Sequence, residues 1–296
     1  MERLFDRALL DRHRRRAYAT GGGTADFLLR AAVYDLLERL SAVNRRFATA
    51  LDLATPTPLL AERLAASGMV DSVVRLDTLP EALGAHGILG DPERLPIAPA
   101  SLDLIVSALA LHWLNDLPGT LIQASRALRP DGLFLAVLLG AGTLTELRSA
   151  FAEAESTTRG GIAPRVAPFA ELRDLGGLLQ RAGFALPVAD QDRLVVRYDS
   201  IFDLMRDLRA MGATNALMER DRRPLRRDTL AAAAAAYARD HADPDGRIRA
   251  TFRLVSLSGW APHESQQKPL RPGSAKSRLA DALGTVERSA GEKAGG

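Results

Sequence analysis

Residues 90–139 read GDPERLPIAPASLDLIVSALALHWLNDLPGTLIQASRALRPDGLFLAVLL. An acidic turn leads into an apolar run, Leu102 to Ala108, of the kind that a strand buried on both faces requires. An exposed His112-Trp113 pair follows, then a helical pattern over 117–128. The turn Pro130-Asp131-Gly132 opens a second apolar strand, Leu133 to Leu139. Strand, helix, turn and strand in this order form the back half of a doubly wound α/β ligand-binding domain. The front half departs from that pattern. Where glycines are expected after the first strand, the chain reads LDLATPTPLL over 51–60.

Outward from this stretch the alternation continues. Phe27 to Leu40 carries apolar residues at helical spacing (Leu29, Val33, Leu36, Leu37, Leu40). A first strand is expected over 47–53, a helix over Pro58 to Ala66, a second strand from Ser72 to Leu76 ending at Asp77, and a short third from His86 to Leu89. Further helices are expected over Thr143–Glu155 and Ala170–Ala182, the second closed by Gly183, with a strand at Leu194–Tyr198. Two or three helices are expected in an insert over about 199–240. The turn Asp243-Pro244-Asp245-Gly246 then leads to a final strand, Ala250–Trp260. The predicted fold is a mostly parallel, Rossmann-like sheet with a helical insert before its last strand. Its ligand belongs at the carboxyl ends of the strands.

The predicted organisation has a basic arm over 1–25, a domain over 26–263, and a tail over 264–296. The tail is rich in Gln, Pro, Ser, Gly and Lys and is expected to be disordered. Gly21, Gly22 and Gly23 break the arm from the first long helix. Arg12, Arg14, Arg15 and Arg16 form its basic block, read as a solvated helix face, with an anionic partner as the alternative. Net charge is only +3. The 296 residues contain no cysteine, which excludes disulfides and thiolate metal sites and suits a cytoplasmic location. No apolar run reaches the ~20 residues of a bilayer span, which leaves room only for peripheral association with a membrane. No serine-hydrolase elbow, phosphate loop or zinc pattern occurs, and no nucleic-acid partner is expected. His241, Asp243 and His263 formally resemble a two-histidine, one-carboxylate set, but the Asp-Pro-Asp-Gly turn explains Asp243, so no metal site is expected.

Four groups of residues are candidates for the site. Asp52 and the Ala54–Pro58 loop end the first strand. Glycine there would permit unusual backbone angles and close approach to a ligand, whereas Pro56 and Pro58 fix φ and remove donors. An altered ligand loop and a plain strand-to-helix turn both remain open. Asp77 and Asp91 follow the second and third strands, where a carboxylate can accept ribose hydroxyls or cap a turn. His112 lies where the fourth strand opens onto the ligand edge, placed to be a general base, a substrate contact or aromatic packing. Asn115 or Asp116 suits a helix cap.

LPIAPASLDLIVS, LHWLNDLP and LRPDGLFLA resemble the methyltransferase domain of the biotin-pathway malonyl carrier-protein methyltransferases. FDRALLDRHRRRA, GAGTLTELRSAFAEAE, GGIAPRVAPFAELRDLGGLLQRAGF, YDSIFDLMRDLRAMGATNAL, RRDTLAAAAAAY and SGWAPHESQQKPLRPGSA narrow the likeness. Together they resemble, over about residues 4–284, the bacterial branch of the arginine-hydroxylase assembly factors of respiratory complex I. The resemblance implies a class I methyltransferase fold that binds S-adenosylmethionine. The ligand role maps onto Asp52, Ala54, Asp77, Asp91, Leu95 and Leu109, with His112 as the catalytic candidate. It also implies a protein partner, the complex I subunit that holds the terminal iron–sulfur cluster, with one of its arginines hydroxylated. The insert and the helix after Gly142 would shape the partner surface, and the Gly160–Phe169 loop would gate the site. The family's loop glycines are replaced here by Ala54, Pro56 and Pro58. A methyltransferase acting on a carboxyl or small molecule, and a non-catalytic chaperone, are the competing expectations.

Overall fold

Leu104, Val106 and Ala108 enter one hydrophobic layer, while Ile105 between them enters the other. This is the two-residue period of a strand buried on both faces. Leu133, Leu135 and Val137 alternate with Phe134, Ala136 and Leu138 in the same way. The computed structural model describes residues 3–20, 25–84, 87–267 and 284–286. In it these runs are the central strands β4 (Leu102–Ala108) and β5 (Leu128–Leu139). They join β1 (Phe47–Leu53), β2 (Val70–Asp77), β3 (Gly87–Leu89), β6 (Ala185–Tyr198) and β7 (Ile248–Trp260) in one sheet of order β3-β2-β1-β4-β5-β7-β6. The pairs β1–β2, β1–β4, β2–β3 and β4–β5 are parallel. Strand β7 enters antiparallel between β5 and β6. The strand order reverses between β1 and β4, so the ligand crevice lies outside their carboxyl ends.

Helices cover both faces. On one, α2 (Phe27–Ser41) presents Leu29, Val33, Leu36 and Leu40 to the core, joined by α3 (Leu59–Ala66), α5 (Thr145–Arg159), α7 (Ile201–Ala210) and α8 (Arg227–His241). On the other lie α4 (Leu117–Ala127) and α6 (Leu172–Arg181). Helix α6 ends at Gly183, which takes the left-handed φ of 85° that a side chain resists. Helices α7 and α8 are the insert, lying between β6 and β7.

Strand β6 begins at Ala185, nine residues before the expected Leu194, and pairs with β7 as far as Tyr198↔Ile248. The stretch before Leu194 includes Asp190, Asp192 and Arg193. These residues do not read as a strand locally, because an edge strand is solvated and its apolar alternation is diluted. Strand β5 begins at Leu128 rather than Leu133. The expected turn survives inside it as an irregularity, with Asp131 at φ 63° and a register shift against β4. Strand β3 is described from Gly87; His86 lies outside the described residues, as do Gly21 to Gly23.

Residues Met1–Pro262 form one unit and His263–Gly296 a second. In the second, Gln266 closes a local turn on His263. The remainder of the expected tail, apart from 284–286, lies outside the described residues.

Residues 7–19 form a helix, α1, with Asp6 capping it by accepting the Leu9 N–H at 3.0 Å. The expected solvated face of the arginine block does not hold for Arg14. Its side chain is largely buried and meets Asp77, because α1 lies across the carboxyl ends of the strands, where apolar Leu10 and Ala17 are also buried.

Candidate functional site

The loop after β1 holds a left-handed turn although its sequence offers no glycine. Ala54 adopts a φ of 58°, the left-handed region that glycine occupies freely and alanine only under strain. Its N–H donates to the Leu76 carbonyl at 2.8 Å. Thr55 is fully buried, and its Oγ1 accepts the Ala108 N–H at 3.1 Å. The Ser107 hydroxyl donates to the Leu53 carbonyl at 2.7 Å. The loop is thereby stitched to β2 and β4, and Pro58, at φ −65°, launches α3 from the N-cap position. Leu109, at the end of β4, is also left-handed, with φ 51°.

Beneath the loop, Asp52 Oδ2 lies 3.5 Å from Arg75 Nε, and both side chains are buried. Arg75 Nη2 donates to the Thr55 carbonyl at 2.7 Å. Burial pushes the Asp52 carboxyl up to about 6, against the pull of Arg75.

Above the loop is a cavity of about 350 Å³, within the range of small-molecule sites. Ala54, Leu109 and His112 line it, together with Pro56 and Trp113. His112 stands in a single turn of 3₁₀ helix after β4. Its Nδ1 accepts the Leu139 N–H at 3.4 Å, so in the neutral ring the proton sits on Nε2. Burial pushes the imidazole down to about 3. The group offered to a ligand is therefore a neutral N–H donor. Trp113 packs at 5.3 Å on one side of the ring and Phe169, at the end of the Gly160–Phe169 loop, at 5.8 Å.

Asp52, Asp77, Asp91 and Leu95 are not in the cavity wall. Asp77 ends β2 fully buried, with Oδ2 2.6 Å from Arg14 Nη2 and Oδ1 accepting the Leu79 N–H at 2.8 Å. Asp91 pairs with Arg7 at 3.1 Å. The Leu95 N–H donates to Gln123 Oε1 at 2.9 Å. Asp116 caps α4, accepting the Gly119 N–H at 2.9 Å. Asn115 instead holds the N-terminal segment through both backbone groups of Phe5.

Sequence reasoning missed the roof of the cavity. Arg7, Asp11, Arg14 and Tyr18 of α1 and Met211 and Gly212 of the insert line it. The available signal was the Asp6 cap followed by Leu10, Arg14 and Ala17 on one helical face. The dense arginine block disguised it as a solvated helix.

Three further features complete the surroundings. Glu155 of α5, fully buried, accepts the Ala163 N–H at 2.7 Å and pairs with Arg165 and Arg159. It thus pins the loop that carries Phe169. Asp243 is taken by Arg197 and Arg249. His241 bonds Ser149. Among the described residues no cluster of three or more His, Cys, Asp or Glu is placed to hold a metal, and no helix is long and apolar enough to cross a membrane.

The sheet order, the antiparallel β7 and the cavity at the switch point define a class I methyltransferase fold. Residues 51–136 match the methyltransferase domain family. A putative methyltransferase from Bacillus halodurans has the same fold, with a TM-score of 0.55 at 16% identity over 78% of this chain and 99% of that one. The arginine-hydroxylase NDUFAF5 of Danio rerio is 36% identical over 94% of this chain and 89% of its own length. A malonyl-[acyl-carrier protein] O-methyltransferase from a Methylovorus strain is 33% identical over 87% and 91%. The chain belongs to the NDUFAF5 arginine-hydroxylase family.

Proposed function

We propose that this protein is a complex I assembly factor that binds an adenosyl ligand in the α1-roofed cavity and hydroxylates an arginine of a complex I subunit. The observation that carries the reading is the 36% identity to an arginine-hydroxylase over 94% of this chain, far beyond the shared methyltransferase domain over 51–136. The chain's resemblance to the assembly factors supports the terminal iron–sulfur subunit as partner. A cytoplasmic location, with peripheral contact at the inner membrane, accords with the absence of cysteine.

The residues fit S-adenosylmethionine in shape. Ala54 and Leu109 hold the left-handed geometry that opens the strand ends onto the cavity, and the volume suits a small ligand. Asp77 is placed for a ribose diol once Arg14 yields it. When bound, this ligand supplies a cationic sulfonium beside the substrate. His112 orients an oxygen of substrate or ligand through its Nε2–H. Trp113 and Phe169 keep water from that ring, and Glu155 holds the Phe169 loop in place. Hydroxylation inserts one oxygen atom into a C–H bond and consumes dioxygen, two electrons and two protons, with water as the co-product.

Mass spectrometry of complex I subunits from wild-type and deletion cells tests this reading. The expected result is one arginine lighter by one oxygen in the deletion strain. An unmodified arginine in wild type sinks the hydroxylase reading. A non-catalytic scaffold predicts instead that His112→Ala and Asp52→Ala restore assembly fully.

The 33% identity to a malonyl carrier-protein methyltransferase favours one second reading, methyl transfer to a carboxyl. Incorporation of a labelled methyl group into a free acyl carrier protein would establish it in place of the first.

A further inference from the structure

Arg14 of α1 reaches the Asp77 carboxylate at the end of β2. The Asp77 carboxylate is wholly buried. Oδ1 is satisfied by the Leu79 N–H, and Oδ2 is satisfied at 2.6 Å by Arg14 Nη2. The Leu79 bond lies within the turn after β2 and need not break. Among the described residues Oδ2, by contrast, is held only from α1, so a hydroxyl donor can replace Arg14 one for one. The other polar contacts of α1 with the sheet edge lie nearer solvent. Arg7 pairs with Asp91, whose side chain is 44% exposed, and with the partly buried Glu93 at 2.9 Å. Arg15 stands 3.9 Å from the exposed Glu81, and the Thr78 hydroxyl donates to Asp11 at 3.0 Å. None of these acids is as fully buried as Asp77.

The opposite side of the N-terminal segment is fixed differently. The Asp6 N–H donates to the Ala216 carbonyl at 2.8 Å, and the Met218 N–H donates to the Leu4 carbonyl at 2.9 Å. Phe5 bridges Leu217, and Arg220 pairs with Asp6 at 3.0 Å. The segment before α1 is therefore tied to the insert by backbone and to Asn115 through Phe5. Helix α1 is itself tied to the insert where His13 Nδ1 bonds the Thr214 hydroxyl at 2.7 Å, while it meets the strand ends by side chains alone.

We propose that the Arg14–Asp77 ion pair is a latch. Closed α1 competes with the diol of an adenosyl ligand for Asp77, and ligand entry displaces Arg14 and lifts α1 from the sheet edge while its N-terminal end stays on the insert. The identity of the competitor rests on the adenosyl-ligand reading above; the latch in the free protein does not.

Two measurements on the full chain test this separately. Hydrogen exchange of the α1 amides reads the latch without ligand, and calorimetric titration with S-adenosylhomocysteine reads the competition. In Arg14→Gln the α1 amides are expected to exchange faster. A closed form that holds about 90% of the molecules weakens apparent affinity about tenfold, so this variant is expected to bind about tenfold tighter. Asp77→Asn is expected to speed α1 exchange likewise but to bind the ligand more weakly than wild type. If Arg14→Gln does not fold, Arg14→Lys, which keeps the charge without the forked donors, is expected to shift both readouts in the same directions.

Unchanged α1 exchange in the Arg14 variant overturns the latch. Weaker binding in that variant overturns the competition by making Arg14 a ligand contact. No binding to either protein, with α1 exchange still faster, overturns the adenosyl reading and the competition together and leaves the latch standing.

Discussion

Asp52 Oδ2 stands 3.5 Å from Arg75 Nε, in a pair that water does not reach. Burial outweighs the guanidinium and raises Asp52 from 3.8 to about 6. The folded chain thus holds this proton at pH values where the unfolded chain has released it. The contribution to stability is complete below pH 3.8 and is lost as pH rises through about 6. Its size is on the order of 3 kcal/mol. Urea denaturation of wild type and Asp52→Asn across this window checks the point. The difference between the two is expected to move in favour of the variant as pH rises; a difference independent of pH contradicts it.

Ala54 stores backbone strain at the cavity floor, at φ 58°. Ala54→Gly is expected to raise stability by up to about 1 kcal/mol, the relief of left-handed geometry less the added freedom of the unfolded chain. Ala54→Val is expected to lower it by about 2 kcal/mol, because a branched side chain resists this region more strongly. Thermal denaturation of the pair gives the sign of each.

Gly212 has a φ of 72°, and a methyl group there would come within 3.1 Å of the Arg14 Cα. Gly212→Ala is expected to cost about 1–2 kcal/mol and to displace α1. Limited proteolysis should then cut the N-terminal segment faster than in wild type. An equal rate of cutting would show that α1 does not depend on this close approach.

Glu155 is a buried carboxylate with two arginines and a backbone N–H upon it. Glu155→Leu leaves Arg165 and Arg159 without this partner and is expected to cost about 3–5 kcal/mol. Because the pinned loop ends at Phe169, which packs on His112, the His112 ring resonances are expected to shift as well. Resonances unchanged from wild type would separate the loop from the site.

His112 stays neutral because burial disfavours its charged form. Its folded value lies below the ordinary 6.5, so the resulting stability is present above pH 6.5 and is lost as pH falls towards about 3. Nitrogen NMR of the imidazole should show a protonated Nε2 and an unprotonated Nδ1 at pH 6.5. A ring that titrates at its ordinary value would restore the general-base role.

Much of this protein follows from local pattern. The run Leu102–Ala108, the 117–127 helix and the apolar core of β5 were legible because a strand buried on both faces must be continuously apolar and a packed helix must repeat. Ala54 and His112, which line the cavity, were legible as candidates because they follow strands whose ends must converge at the switch point. Leu109 was a candidate only through the family resemblance, and Asp52 lies beneath the loop. Strand β6 was only half legible. Its pairing with β7, from Ala185↔Trp260 onward, supplies backbone hydrogen bonds that no residue in Ala185–Arg193 announces.

The sequence by itself determined the parallel core of the sheet, its hydrophobic faces and the edge on which a ligand can sit, since these depend on periodicities of two and of three to four residues. Only the tertiary structure decided what that edge is made of. Arg14 reaches Asp77 across 63 residues and His13 reaches Thr214 across 201. The left-handed angle at Ala54 holds because β2 and β4 fix the loop on either side. A charged helix and a proline-rich loop carry no local sign of such roles. Those roles arise when long-range packing supplies a buried carboxylate to pair with and neighbouring strands to bond to.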